Sequence, residues 1–84
     1  MVWTHPSGDV RLIERELPDA WAGHQLDRLL VGEDGYRLVF VTRAGQSTLA
    51  SPGLWGQEGD LLHVVVTAAG ADALKATVLG GPTS

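Results

Sequence analysis

The chain contains no cysteine, so neither a disulfide nor a thiolate-bound metal can brace it. It has no surplus of positive charge. Six lysines and arginines stand against ten aspartates and glutamates, for a formal net charge of −4. Arg11, Arg15, Arg28, Arg37, Arg43 and Lys75 are scattered and form no run. A nucleic-acid binder usually carries a basic stripe, so no nucleic-acid partner is expected. Long hydrophobic runs are missing too. The longest, residues 61–66, is interrupted by His63, whereas a membrane-spanning helix needs about 20 apolar residues. The opening stretch from Met1 to Pro6 has no basic cluster and no apolar signal core. The expectation is a soluble, cytoplasmic chain with no visible export signal.

What is there fits one small domain of 84 residues and 8.9 kDa. A domain of this length buries roughly 60–65% of its unfolded surface, so its stability is marginal. Hydrophobic residues at 44% and charged residues at 19% argue against disorder. Residues 1–8 read as a lead-in punctuated by Pro6, Ser7 and Gly8, the domain as 9–80, and 81–84 as a tail.

The pattern over 9–17 reads as a strand with one partly buried face, stopped by Pro18, with Asp19 placed to cap the next element. Ala22, Leu26, Leu29 and Leu30 make one helical stripe over 20–31. Gly32, Glu33, Asp34 and Gly35 form a polar turn. Residues 36–42 are the first strong strand, with Leu38 and Phe40 on one face and Val39 and Val41 on the other. Ala44-Gly45-Gln46 turns the chain into a hairpin partner over 47–50, and Gly59-Asp60 leads into a second strong strand over 61–67. A helix over about 71–79 presents Ala71, Leu74, Val78 and Leu79 as its apolar stripe, and Gly80, Gly81 and Pro82 end it. The order β-α-β-β-β-α predicts an α+β fold, a single sheet with two helices. Two short helices cover one face of such a sheet, and the other face then needs a partner. Trp3, Trp21 and Trp55 fit either an enlarged small core or an interface. Together these features predict self-association.

Catalytic groupings are weak. His5, His24 and His63 fall in the lead-in, a helix and a strand, and no Gly-x-Ser-x-Gly elbow occurs. His63 reads as a satisfied structural histidine rather than a base. No His-x-His or His-x-x-x-His spacing suggests a metal, and no Gly-x-Gly-x-x-Gly suggests a dinucleotide. No catalytic residue, metal ligand or bound cofactor is assigned, and the chain is read as a non-enzyme. Glu14, Glu16 and Asp19 read as a charged edge that discourages sheet-to-sheet aggregation. Arg43, at a strand end, is placed either to meet an anion or a partner's carboxylate, or to stand as a solvated hairpin arginine.

Four segments then stand in a telling order. They are Val10-Arg11-Leu12-Ile13-Glu14, a Gly-x-x-Leu-x-x-Leu stretch from Gly23 to Leu29, Val39-Phe40-Val41-Thr42-Arg43-Ala44-Gly45, and Gln57-Glu58-Gly59-Asp60 running into residues 61–66. Over about 9–79 the chain resembles the TrkA C-terminal, or RCK C-terminal, regulatory domain of potassium and cation transport proteins. That family usually has proline where Ala50 stands, and here the proline is Pro52. The resemblance implies a TrkA-C-like fold and a cytoplasmic regulatory domain, peripheral to the membrane, that forms a homodimer. It implies a membrane cation channel, transporter or antiporter as partner, gated through the domain. It further implies a nucleotide-binding TrkA-N half, carried either on a longer natural chain or on a separate one. A small effector such as cyclic di-AMP would sit at the dimer two-fold against Val41, Arg43, Ala50, Ser51 and Pro52. The alternative is a dimerisation and assembly module of a transporter complex that takes no ligand.

Overall fold

A computed structural model describes residues 3–4, 10–32 and 35–82. Glu33 and Asp34 of the acidic turn, His5 and most of the lead-in, and the last two residues of the tail lie outside the described residues. The strands are β1 (Trp3–Thr4), β2 (Arg11–Glu16), β3 (Val31–Gly32), β4 (Tyr36–Arg43), β5 (Gln46–Leu49) and β6 (Leu61–Val66). The helices are α1 (Asp27–Leu30) and α2 (Ala68–Gly80), with a 3-10 turn at Asp19–Trp21. All strand pairs are antiparallel, in the order β1-β2-β6-β4-β3, and β5 also pairs with β4. This is the α+β class expected, one sheet with two helices.

The helices lie on one face. Leu62, Val64 and Val66 of β6 point there and are fully buried with Leu29 of α1 and Leu74 of α2. Trp21, also fully buried, donates its indole N–H to the Val78 carbonyl at 3.0 Å, satisfying an acceptor near the end of α2. Each large aliphatic side chain so buried contributes roughly 1.5–3 kcal/mol relative to exposure.

Three local differences from the sequence pattern have physical causes. The helix expected over 20–31 is a 3-10 turn and a single turn of α-helix, and no side chain caps the former. Gly23 takes φ +81°, which breaks the helix. The backbone groups of Gly23, His24 and Leu26 bond instead to Gly56 and Leu54 of the facing loop. The stripe residues Leu26 and Leu29 are nonetheless fully buried.

β4 carries a register shift between Leu38 and Phe40. The extra residue, Val39, resets the alternation. Leu38 and Val41 therefore both enter the core, while Phe40 turns to the opposite face. Strict alternation would have kept Leu38 and Phe40 together.

α2 begins at Ala68, earlier than expected, because the Thr67 hydroxyl caps it by accepting from the Gly70 N–H at 3.0 Å. Leu79, expected in the stripe, is 73% exposed. Gly70, Leu74 and Val78 repeat every four residues along the buried side, and Leu79 falls about 100° further round.

Candidate functional site

Arg43 closes β4, on the same face as the buried Val41. Asp60 precedes β6, one step beyond the Thr42–Leu61 register pair. The two meet as a bidentate clasp. Arg43 Nε donates to Asp60 Oδ1 at 2.8 Å and Nη2 to Oδ2 at 2.7 Å. Nη2 also donates to the Trp55 carbonyl at 2.8 Å. The Asp60 carboxylate is fully buried, whereas the arginine side chain is 35% exposed. Asp60 Oδ2 accepts a further bond from the Gln57 N–H at 2.9 Å, and the Asp60 carbonyl accepts from the Leu17 N–H. Burial alone pushes the Asp60 carboxyl up, but the bonds from Arg43 and Gln57 outweigh it and hold the carboxyl below its ordinary range. The hydrogen bond to Asp60 holds the Arg43 guanidinium above its own ordinary value.

The carboxylate that meets Arg43 thus comes from the same chain. Among the described residues, Nη1 is the guanidinium nitrogen left without a protein partner. Val41 is 2% exposed, and its side chain packs in the core. Ala50 is half-buried against that core, its N–H bonded to the Val39 carbonyl, while Ser51 and Pro52 are exposed in the adjoining turn. The structure brings Arg43 to this loop at Trp55. That tryptophan is 55% exposed, yet its backbone is pinned by pairing with Gln25.

The second feature is the sheet face away from the helices. Among the described residues no helix covers it. Leu12, Phe40, Leu61 and Val65 lie there half-buried. At one end an open groove of about 360 Å³ runs between Val10, Arg37, Val39 and Val65. A polar row crosses the middle. His63 Nε2 lies 2.9 Å from Thr42 Oγ1, which lies 3.1 Å from Ser47 Oγ, and His63 Nδ1 lies 3.8 Å from Glu14 Oε1. Phe40 stacks on the imidazole, with centroids 4.0 Å apart. The satisfied histidine expected from the pattern is present, but on this face rather than in the helix-covered core.

The sequence pattern marks Gly59-Asp60 only as a turn and does not pair it with Arg43. Both flank paired strands, and that spacing is the available signal. Among the described residues no group of three or more histidines, cysteines, aspartates or glutamates could hold a metal, and no helix is long and apolar enough to cross a membrane.

These features define a small α+β module with a half-covered sheet and a buried ion-pair clasp at one end. One relative is a potassium uptake protein. The chain is 38% identical over 81 residues to the Trk system potassium uptake protein TrkA of Streptomyces coelicolor. That similarity takes in 96% of this chain and 36% of the relative, so the chain spans about a third of the length of the protein it matches. No protein-family model matches the chain.

Proposed function

We propose that the chain is a non-enzymatic regulatory domain of a potassium or related cation transport system. In this reading it works as a homodimer at the cytoplasmic side of a membrane channel, transporter or antiporter, together with a nucleotide-binding domain. The observation that carries the reading is a likeness along almost the whole chain to part of a potassium uptake protein. The half-covered sheet supports the dimer, because apolar surface left on one face is stabilised by a second copy. Sedimentation equilibrium tests it: a dimer is expected at micromolar concentration, and a monomer of 8.9 kDa throughout overturns it.

The proposed effector is a small anion, with cyclic di-AMP the leading candidate. It would approach the exposed side of Arg43, with Ala50, Ser51 and Pro52 alongside and Val41 anchoring the strand. Calorimetric titration is the test. Arg43→Lys keeps the charge but loses the fork, and it is expected to weaken binding about tenfold or more, since a charge-assisted hydrogen bond contributes roughly 1.5–3 kcal/mol.

A specific observation favours a second reading. Asp60 already occupies Nε and Nη2 of Arg43, as a structural arginine in a ligand-free assembly module would require. No saturable heat with any cyclic dinucleotide would leave that reading standing.

A further inference from the structure

We propose that β5 is an open strand edge on which another copy of the chain pairs antiparallel, β5 against β5, carrying the sheet from one copy into the next. The contact is separate from a dimer packed through the open sheet face and does not depend on it. It uses backbone groups at the sheet margin, so it joins such dimers without competing with them.

The margins of the sheet are not alike. Among the described residues, β1 and β3 are two residues each, too short to hold a partner strand. Past β1, residues 13–16 of β2 have no strand on their outer side. They are Ile13, Glu14, Arg15 and Glu16, and that density of charge discourages pairing. On the opposite margin β5 has four residues, all exposed. None is charged, and no aspartate, glutamate, lysine or arginine occurs from residue 44 to residue 57. No proline or bulge interrupts β5. The devices that keep edges apart stand on one side of the sheet and are missing from the other.

The register shows which backbone groups face outward. β4 and β5 are joined by the two-residue turn Ala44-Gly45, with φ of 50° and 80°, as a tight hairpin requires. The pairs run Arg43–Gln46, Thr42–Ser47, Val41–Thr48 and Phe40–Leu49. Beyond them the Ala50 N–H bonds to the Val39 carbonyl at 3.0 Å. Bonded and non-bonded pairs alternate in an antiparallel ladder. Gln46, Thr48 and Ala50 therefore bond to β4, while Ser47 and Leu49 turn both N–H and C=O outward. A two-fold axis through Thr48 sets Ser47 of each copy against Leu49 of the other. Four bonds then form, and every outward N–H and C=O of both strands is used. Sliding the pairing by two residues leaves half of those groups of β5 unpaired. Thr48 meets Thr48 of the second copy as a closely spaced, favourable pair.

This symmetric match is what selects a second copy as the occupant. Charge agrees with it. Two chains of net charge −4 repel, and here they meet along an edge where neither brings a charge. Four backbone bonds with little side-chain burial make a weak contact, so it forms at higher concentration than the sheet-face dimer.

Residue-resolved amide hydrogen exchange at about 50 µM and about 1 mM tests this on the wild type, Thr48→Lys and Thr48→Glu. In the wild type Ser47 and Leu49 are expected to slow about fivefold or more at the higher concentration, whereas Gln46, Thr48 and Ala50 are protected at both. Thr48→Lys and Thr48→Glu are each expected to abolish that slowing, because like charges face each other across the axis. Mixing the two variants in equal amounts is expected to restore it, because opposite charges then meet. Wild-type Ser47 and Leu49 amides that exchange equally fast at both concentrations overturn the edge pairing and leave the sheet-face dimer untouched. Slowing that persists in each variant alone overturns the axis through Thr48. Slowing lost in both variants and not restored by mixing overturns self-pairing. Should a variant fail to fold, the wild-type amides still decide.

Discussion

Asp60 is buried at no measurable exposure, yet its carboxylate accepts from Arg43 Nε, Arg43 Nη2 and the Gln57 N–H. Removing one partner of such a pair costs more than removing both, because the survivor is left buried and uncompensated. Arg43→Ala is expected to destabilise the fold by about 2–4 kcal/mol, somewhat below a wholly buried pair because water reaches the arginine. Arg43→Met combined with Asp60→Leu is expected to recover most of that loss. Urea unfolding of the wild type, both single variants and the double variant checks the cycle, and additive losses would show that the clasp is not a unit. The same pair sets an acid limit. The folded carboxyl titrates below its ordinary value of 3.8, so its contribution is complete above that pH and is lost as pH falls through the folded value. Between pH 7 and pH 3 the wild type is therefore expected to lose more stability than the double variant, a difference that disappears if Asp60 is not ionised in the fold.

At the scale of the element, β4, β6 and α2 were legible because their apolar residues recur at the proper spacings, and Leu62, Val64, Leu74 and Val78 are buried as that spacing requires. What escaped were features decided by backbone partners far along the chain. The segment before α1 has a helical stripe, but its amides go to the loop at Leu54 and Gly56. The bulge at Val39 leaves no mark in composition, and it moved Phe40 onto His63. Arg43 stood out as a charge at a strand end, but its carboxylate lay 17 residues away in a turn that read as punctuation. The docking of α2 offers a sharp test of such long-range closeness. Gly70 lies against the Gly35 carbonyl so closely that an added Cβ would collide with backbone, and the Thr67 N–H bonds to that same carbonyl at 2.9 Å. Gly70→Ala would be mildly favourable in an isolated helix, by about 1 kcal/mol. Here it is expected to destabilise by about 1–3 kcal/mol, because backbone must move. A thermal melt unchanged or raised by Gly70→Ala would mean that α2 docks less tightly than this contact requires.

For the whole molecule, the dimer reading leaves two surfaces to compete for a second copy. One is the open sheet face, with Leu12, Phe40, Leu61 and Val65 half-buried and Leu49, 75% exposed, beside its cross-strand partner Phe40. The other choice is the outlying pair Trp55 and Leu79, exposed at 55% and 73%. Exposure alone does not separate them, but Trp55 and Leu79 lie on a loop and α2, elements that need share no flat surface. Singly scattered apolar residues are normal on a soluble domain, whereas side chains set side by side on adjacent strands form one patch. Val65 stands on β6 between Leu12 of β2 and Arg37 of β4. A lysine there places a charge within the patch while the side chain still has room to reach solvent in the monomer. Val65→Lys is accordingly expected to weaken self-association about tenfold or more, with far-ultraviolet circular dichroism unchanged. Leu79→Lys, at the exposed end of α2, is expected to leave the dissociation constant within about twofold. Sedimentation equilibrium of the two variants beside the wild type separates the surfaces. If Leu79→Lys dissociates the dimer and Val65→Lys does not, the helices form the interface, and the sheet face is left for a different partner.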